Sequence, residues 1–502
     1  MVRLIGSILV LVCLTITSFA AQIHSSIYDL DPVKITYPGS FRYDLGAVVA
    51  GGGDFDGDGY QDLAIGAPSF DATRLGRLFE RGAVFIVFGK AFENPRADID
   101  LSQPQAPIIL VTSSSESQVG SGMAFLGDCN ADGFDDLGLT TVQHHSAYVI
   151  YGRSDHDRIL PLADHPDRVM EITNTGHSVS TVGDFNGDGF SDVIFGNPYA
   201  EEIDSGNHHY AVGNYTLLFG RDGFASRLDA LVPGPTHYTD RGSADSLFGN
   251  QLSGGVDLNA DGFSDIIVTA PQDGKNQAGR AYIIYGNESN FRDNRVEYSF
   301  ILEHVKHGVR ACKDINGDGF PDLLVGMDDN TLFVLKGGKH MRGTLDLSKK
   351  IDAGWGTILH GAQTAYPAGD LNGDGFQDIA VAMPNAQVGD KILAGRVLFL
   401  FGSVQWPAEI DVNQLIQGQY LPIDYILVDG NLSFETFGAS VAALGDISND
   451  GFDDVLIGAP TVHLSGDTLS DQPGAAYVIQ GVNMYYALQT HRSVFTQEGA
   501  RH

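Results

Sequence analysis

Short runs of β-branched, aromatic and aliphatic residues, bounded by Gly, Pro and Asp, recur between residues 33 and 482 of the 502-residue chain. Runs of this length, rich in Val, Ile, Phe and Tyr, read as strands. No long segment carries a helical period. The runs recur in a fixed order. An alternating run starts after a glycine that often follows a bulky residue, as in Leu45-Gly46, Phe248-Gly249 and Phe437-Gly438. A second often ends in proline: Leu63 to Pro68, Val193 to Pro198, Ile266 to Pro271, Ile379 to Pro384 and Val455 to Pro460. A third ends in glycine: Ala83 to Gly89, Ala147 to Gly152, Tyr215 to Gly220, Ala281 to Gly286, Leu332 to Gly337, Val397 to Gly402 and Ala475 to Gly481. A more variable fourth run follows in most units, for example Pro107 to Thr112, Val169 to Thr173, Glu297 to Glu303 and Tyr425 to Val428.

Four antiparallel strands per unit, reused seven times, predict an all-β fold, a seven-bladed β-propeller. The blades are expected at about 39–116, 117–174, 175–241, 242–303, 304–357, 358–433 and 434–482. The last unit has no clear fourth strand after Gly481, while the run at 33–37 stands alone before the first blade. That N-terminal strand is expected to close the ring by completing blade seven, because an open ring would leave two unpaired sheet edges. Residues 483–502 are expected to form a C-terminal tail.

Between the first and second runs of every unit lies a nine-residue acidic loop, and successive loops start 56 to 76 residues apart. Positions 1, 3, 5 and 9 carry side-chain oxygens. They are Asp54, Asp56, Asp58 and Asp62; Asp128, Asn130, Asp132 and Asp136; Asp184, Asn186, Asp188 and Asp192; and Asp257, Asn259, Asp261 and Asp265. The last three sets are Asp314, Asn316, Asp318 and Asp322; Asp370, Asn372, Asp374 and Asp378; and Asp446, Ser448, Asp450 and Asp454. Alternate residues of a tight turn can converge on one point, and Ca²⁺ takes about 6–8 oxygens of this kind. A glycine at position 6 permits the bend. The carbonyl of position 7 is the expected fifth protein ligand, from Tyr60, Phe134, Phe190, Phe263, Phe320, Phe376 and Phe452, with each ring packing inward.

An EF-hand shares the first half of this pattern but needs a glutamate at position 12 and flanking helices. Here position 12 is Ile65, Leu139, Phe195, Val268, Val325, Val381 or Ile457, all apolar and all in strands. Asx turns also favour Asp, Asn and Gly without an ion. Seven copies with the same internal spacing favour the metal, since carboxylates at contact repel one another. Up to seven Ca²⁺, one per blade, are expected, with Ser448 marking the weakest site.

The chain has 63 acidic and 30 basic residues, a formal charge of −33, which argues against nucleic acid or an anionic membrane as partner. Residues 1–20 have the layout of a secretory signal peptide: Arg3, an apolar run, then Ser18-Phe19-Ala20. No later window is expected to span a membrane. Cys129 and Cys312 lie in different repeats and read as buried thiols, not a disulfide framework. The expected location is secreted or extracellular, or periplasmic or cell-surface in a bacterium. Sequons at Asn214, Asn287 and Asn431 are candidate glycosylation sites, Asn214 least so because it opens a strand.

A Phe-Gly element, an acidic loop and a Gly-Ala-Pro element in series resemble the FG-GAP repeats of integrin α-subunit propellers. Gly66-Ala67-Pro68 and Gly458-Ala459-Pro460 match literally, Gly196-Asn197-Pro198, Thr269-Ala270-Pro271 and Ala382-Met383-Pro384 loosely. Units two and five depart, with Gly138-Leu139-Thr140 and Gly326-Met327-Asp328. The resemblance implies calcium in the loops and a protein or glycan ligand on the opposite face; no leg domains or transmembrane helix are expected after blade seven. Adhesion or recognition of an extracellular protein or matrix ligand is the leading function. A calcium-dependent lectin is the alternative, with Trp355 and Trp406 as candidate sugar-stacking residues. A secreted hydrolase comes third, because no catalytic motif is found. Candidate ligand loops run from Ser69 to Arg81, Tyr199 to Val212, Asn385 to Ala394 and Thr461 to Pro473, carrying Arg74, Arg77, His208, His209 and Tyr210.

Overall fold

In the computed structural model, seven small sheets stand in a ring, each built on four antiparallel strands: a seven-bladed β-propeller. The structure describes residues 22–489 apart from 39–43, 71–81, 93–97, 104–105, 114–117, 142–145, 156, 164, 205–206, 233–235, 288–297, 328–329, 350–352, 363, 420, 422 and 463–472. The signal-peptide expectation, Arg74 and Arg77 therefore lie outside the described residues. No helix among the described residues is long and apolar enough to cross a membrane.

Blade one sets the pattern: Val48–Gly53, Asp62–Ala67, Ala83–Val87 and Ile108–Thr112 pair in that order. First strands of successive blades touch around the ring, and that of blade seven, Ser440–Gly445, meets that of blade one. Second and third strands are sandwiched between neighbouring blades, so both of their faces are buried. That is why their sequences read as continuous apolar runs without alternation.

The Phe-Gly and Gly-Ala-Pro elements meet across these seams. Gly249 has φ +83, and a Cβ there would lie 2.2 Å from the Asn214 carbonyl oxygen of the preceding blade. Gly196 of blade three faces it in turn, its own Cβ position only 2.1 Å from the Gly249 carbonyl oxygen. Gly458 and Gly46 repeat the contact between blades seven and one, at 2.0 Å. The motif is thus a backbone-to-backbone clasp between blades, and Phe248 and Phe437 fill the seam beside it at 1% and 0% exposure.

Val33–Thr36 pairs antiparallel with Ala475–Ile479 as the fourth strand of blade seven, which closes the ring. The blades also hold something the sequence reading lacked. Six sheets carry a fifth strand, parallel to the fourth. In five of them it comes from the connection before the next blade's fourth strand: Ile159–Pro161, Arg227–Asp229, Gly343–Asp346, Glu409–Asp411 and Ile99–Asp100. In blade six it is Gln22–Ser26, lying along Tyr425–Asp429. The N-terminal segment therefore closes the ring twice. For blade three the corresponding connection is 288–297, outside the described residues.

Two boundaries are corrected. Gly356–His360 pairs wholly with Thr331–Leu335, so blade five runs through His360 and does not stop at 357; the turn Ala353–Trp355 interrupts the run just before this strand. The expected tail begins as a helix at residues 481–489, with Met484 and Leu488 buried on blades six and seven and the Asn483 Nδ2 donating to the Leu30 carbonyl at 3.0 Å. Nine residues are too few to show a helical period. Among the sequons, Asn214 is 2% exposed inside blade three, so the folded chain offers no room for a glycan there.

Candidate metal centres

Each acidic loop joins the first and second strands of its blade, so all seven lie at one end of the ring. In every copy the first Asp accepts the N–H groups of positions 5 and 6; in the first loop Asp54 takes Asp58 N at 3.0 Å and Gly59 N at 2.9 Å. The position 5 carboxylate accepts the N–H of position 7, as in Asp58 with Tyr60 at 3.0 Å. The chain turns through position 6 with φ between +85 and +98, and no atom lies within 4 Å of a Cβ built there. This is why glycine is invariant at that position in this chain.

In the first loop positions 1, 3 and 5 converge. Asp54, Asp56 and Asp58 each offer a carboxylate oxygen, all within 4.8 Å of one another. In four other loops the position 3 carboxamide donates to position 5, for example Asn186 Nδ2 to Asp188 at 3.0 Å. Asn316 instead turns toward Asp322. In loop seven the N–H reaching position 9 comes from Ser448, one residue later than elsewhere, so this copy departs in its turn as well as in its side chain.

Position 9 is held beneath the turn. Asp62 is fully buried, accepting Phe55 N at 2.8 Å and Gly89 N at 2.7 Å. The same two-sided anchoring recurs through Gly152, Gly220, Gly286, Gly337, Gly402 and Gly481; a Cβ at any of these or at Gly89 would lie between 1.9 and 2.6 Å from the position 8 carbonyl oxygen, which explains the glycine ending every third run. Burial, with a smaller push from the Asp56 and Asp54 carboxylates and partly offset by the Gly89 and Phe55 N–H donors, raises the Asp62 carboxyl to about 7. Burial also brings Asp136, Asp192, Asp265, Asp322 and Asp454 to about 7 and Asp378 well above the carboxylate range. A cation among these oxygens would reverse that penalty, and the donors suit a hard one: carboxylate, carboxamide and hydroxyl oxygens without nitrogen or sulfur. Asn259 fits this test too, since its buried Oδ1 has no hydrogen-bond partner.

One expectation is overturned. The position 7 rings do not pack inward: all seven are half-exposed and several lie across the preceding loop. Phe134 covers Gly57, Phe263 covers Gly187, Phe376 covers Gly317 and Phe452 covers Gly373, where a Cβ would approach the ring to between 2.5 and 2.9 Å. The inward residue is at position 2, where Phe55, Cys129, Phe185, Leu258, Ile315, Leu371 and Ile447 are at most 1% exposed. The signal was present as an apolar residue in all seven copies between two polar ones. Neighbouring loops are joined by hydrogen bonds as well, from Asp135 N to the Asp54 carbonyl and from Asp453 N to that of Asp370, each at 3.1 Å.

On the opposite face, the Tyr199 to Val212 connection forms a hairpin of Glu202–Asp204 with Asn207–His209, flanked by exposed Tyr199 and Tyr210. The side chains of His208 and His209 lie outside the described residues. Both tryptophans are partly exposed: Trp406 donates Nε1 to the Phe401 carbonyl at 2.8 Å and lines a small cavity with Lys336 and Thr357, and Trp355 stacks on buried Phe300.

Comparison with known proteins agrees with this geometry. The FG-GAP repeat family matches residues 45–87, 175–207, 248–284 and 437–479, and an FG-GAP-like repeat matches 314–381. Integrin alpha pat-2 of Caenorhabditis briggsae is 26% identical over 224 residues, 40% of this chain and 17% of that protein. Integrin alpha-7 of Mus musculus is 30% identical over 203 residues, 38% of this chain and 15% of that protein. Phosphatidylinositol-glycan-specific phospholipase D of Bos taurus is 23% identical over 440 residues, 85% of this chain and 45% of that protein. The chain thus spans less than half the length of each of these relatives.

Proposed function

Because this chain belongs to the integrin-α-like FG-GAP propellers, we propose that it is an extracellular recognition module whose seven hairpins each hold a calcium ion. The convergence of Asp54, Asp56 and Asp58 carries the metal reading. Positions 1, 3, 5 and 9 and the position 7 carbonyl would supply the ligands in each copy. Calcium would neutralise the clustered carboxylates and cross-link the first and second strands of each blade. Adjacent loops bond to one another, so loading one hairpin would also stiffen its neighbour's seam.

A protein or matrix ligand would then meet the face away from the hairpins. The support is architectural: the metal end is occupied by scaffold chemistry, whereas the other end presents long connections on a rigid ring. The secreted location follows the same reading. Calorimetric titration of chelated protein with Ca²⁺ tests the metal; binding of several equivalents with a rise in melting temperature is expected, and no heat and no thermal shift would sink it. Binding of the loaded protein to a decellularised matrix preparation, with and without EDTA, tests the ligand; equal binding to an albumin-coated surface would refute adhesion.

A further inference from the structure

At two seams, neighbouring acidic loops are joined by a side chain as well as by the backbone. Between blades one and two, Asp135, position 8 of loop two, engages both main-chain groups of Asp54, position 1 of loop one. Its N–H donates to the Asp54 carbonyl at 3.1 Å, and its Oδ2 accepts the Asp54 N–H at 2.9 Å. Asp453 and Asp370 repeat the arrangement between blades six and seven, at 3.1 and 2.8 Å. We infer that Asp135 and Asp453 couple calcium sites one with two and six with seven, so that each pair loads cooperatively.

The residues on either side give the coupling its route. Asp135 stands between Phe134, whose carbonyl would serve site two, and Asp136, the buried carboxylate at position 9 of that site. Asp54 supplies position 1 of site one, where its carboxylate is already fixed by Asp58 N at 3.0 Å and Gly59 N at 2.9 Å. An ion that orders Asp54 therefore orders Asp135 and, through it, two ligand groups of the next site. The second ion then meets a smaller ordering cost, which is positive cooperativity. The Phe134 ring adds a further contact over Gly57, as Phe452 does over Gly373. Divalent ions in adjacent loops also repel one another, and a carboxylate at their seam offsets part of that repulsion.

The other five loops are built differently at this position. They carry Gln61, Ser191, Ser264, Pro321 and Gln377, none of them a carboxylate. Ser264 and Gln377 keep the backbone bond, donating to the Asp184 and Asp314 carbonyls at 3.3 and 2.8 Å. Pro321 has no N–H and cannot make even that bond, which leaves the seam of blades four and five without this link.

The inference rests on the calcium reading of the loops, and its test separates the two. Amide hydrogen exchange of the full chain is followed by mass spectrometry, loop by loop, across a calcium titration. In the wild type, loops one and two should gain protection over the same calcium range. Asp56→Ala removes a ligand of site one but leaves Asp58 N bonded to Asp54, and should move the loop two midpoint to about tenfold more calcium. With Asp135→Ser, the side chain native to position 8 of loops three and four, adding Asp56→Ala should no longer move loop two. Linkage is reciprocal, so Asp132→Ala in loop two should move loop one by the same factor and tests the coupling independently of Asp56. Asp261→Ala in loop four should leave loop five in place, because Pro321 offers no link. A loop two midpoint indifferent to Asp56→Ala, a displacement that survives Asp135→Ser, or an equal displacement of loop five by Asp261→Ala would each overturn the coupling and leave calcium in the loops. Calcium-independent exchange in every loop would overturn the calcium reading and the coupling with it.

Discussion

Alanine at Gly249 tests whether the blade seams are held by backbone contact. Its φ of +83 alone is unfavourable for any L side chain, by about 1–2 kcal/mol. Gly223 has φ +73 with nothing within 4 Å of a Cβ, so alanine there carries that conformational cost and nothing else. At Gly249 the new methyl would sit 2.2 Å from the Asn214 carbonyl oxygen, against a closest ordinary C···O approach of about 3.3 Å. The seam must open locally by about 1 Å. Phe248 lies beside it, 5.5 Å from the Tyr215 ring and 5.6 Å from that of Tyr282, and is 1% exposed. A gap of that size forfeits about a quarter to a half of the dispersion contacts of rings whose burial is worth about 1.5–3 kcal/mol each. Gly249→Ala should therefore destabilise by about 1–3 kcal/mol more than Gly223→Ala. Urea unfolding of both variants in calcium, followed by far-ultraviolet circular dichroism, reads the difference. Equal midpoints would show that the seam yields freely and that the clasp is not steric.

The other predictions concern the loops, the closure and the fifth strands. Phe185→Ala should cost about 3–5 kcal/mol because position 2 is fully buried, whereas Phe263→Ala, at the half-exposed position 7, should cost about 1 kcal/mol; equal losses in urea would restore the inward reading of the ring. Deleting residues 22–30 removes buried Ile23, Ile27 and Leu30, worth about 5 kcal/mol together, and should first expose the amides of Tyr425–Asp429 in hydrogen exchange; unchanged protection there would refute the double closure. The Asp346 carboxyl is held down at about 2 by the Ser348 hydroxyl and then by Lys349, and it also faces His304. A depressed folded pKa adds stability above the ordinary value near 4, and that stability is lost as pH falls toward 2. Asp346→Asn should therefore flatten the melting curve's pH dependence between about pH 4 and 2, and an unchanged profile would remove the carboxylate from the account.

Repetition made the blade number, the strand order and the loop chemistry legible, because seven copies separate what a turn requires from what one site happens to contain. Phe134 shows the limit of that reading. An aromatic residue in all seven copies suggested a core position, yet its partner is Gly57 of the preceding loop, and contact between repeats leaves no mark within one repeat. The fifth strands were hidden for a related reason. Ile99–Asp100 and Ile159–Pro161 are two and three residues long, too short for any periodicity, and they pair outside their own blade. Gly356–His360 was divided because a single turn precedes it, and the helix at 481–489 is shorter than a dependable helical pattern. The coupling carboxylates were hidden likewise: Asp135 and Asp453 occupy position 8, which varies among the copies, and each bonds the loop before its own.

Closure of the ring and the face away from the hairpins share one set of contacts. Gln22–Ser26 lies along the outer strand of blade six, and within it His24 grips Asp429. Asp429 in turn fixes Arg396 at the start of the third strand of blade six, with the side chains of both at 12% exposure. At that depth the pair is strongly preferred to either charge alone, since removing one partner leaves the other uncompensated in a poorly solvated place. Release of the N-terminal strand would thus free one oxygen of Asp429 and loosen the restraint on Arg396. The acidic hairpins act from the other end of the same blade: Asp370 to Asp378 link the first and second strands of blade six, whose far ends, Thr364 and Met383, lie on that face. A metal bound at one end would therefore constrain the other through two strands only six residues long, with no moving part between them. Calcium dependence of ligand binding would follow from the rigidity of the blade, without any contact between ion and ligand.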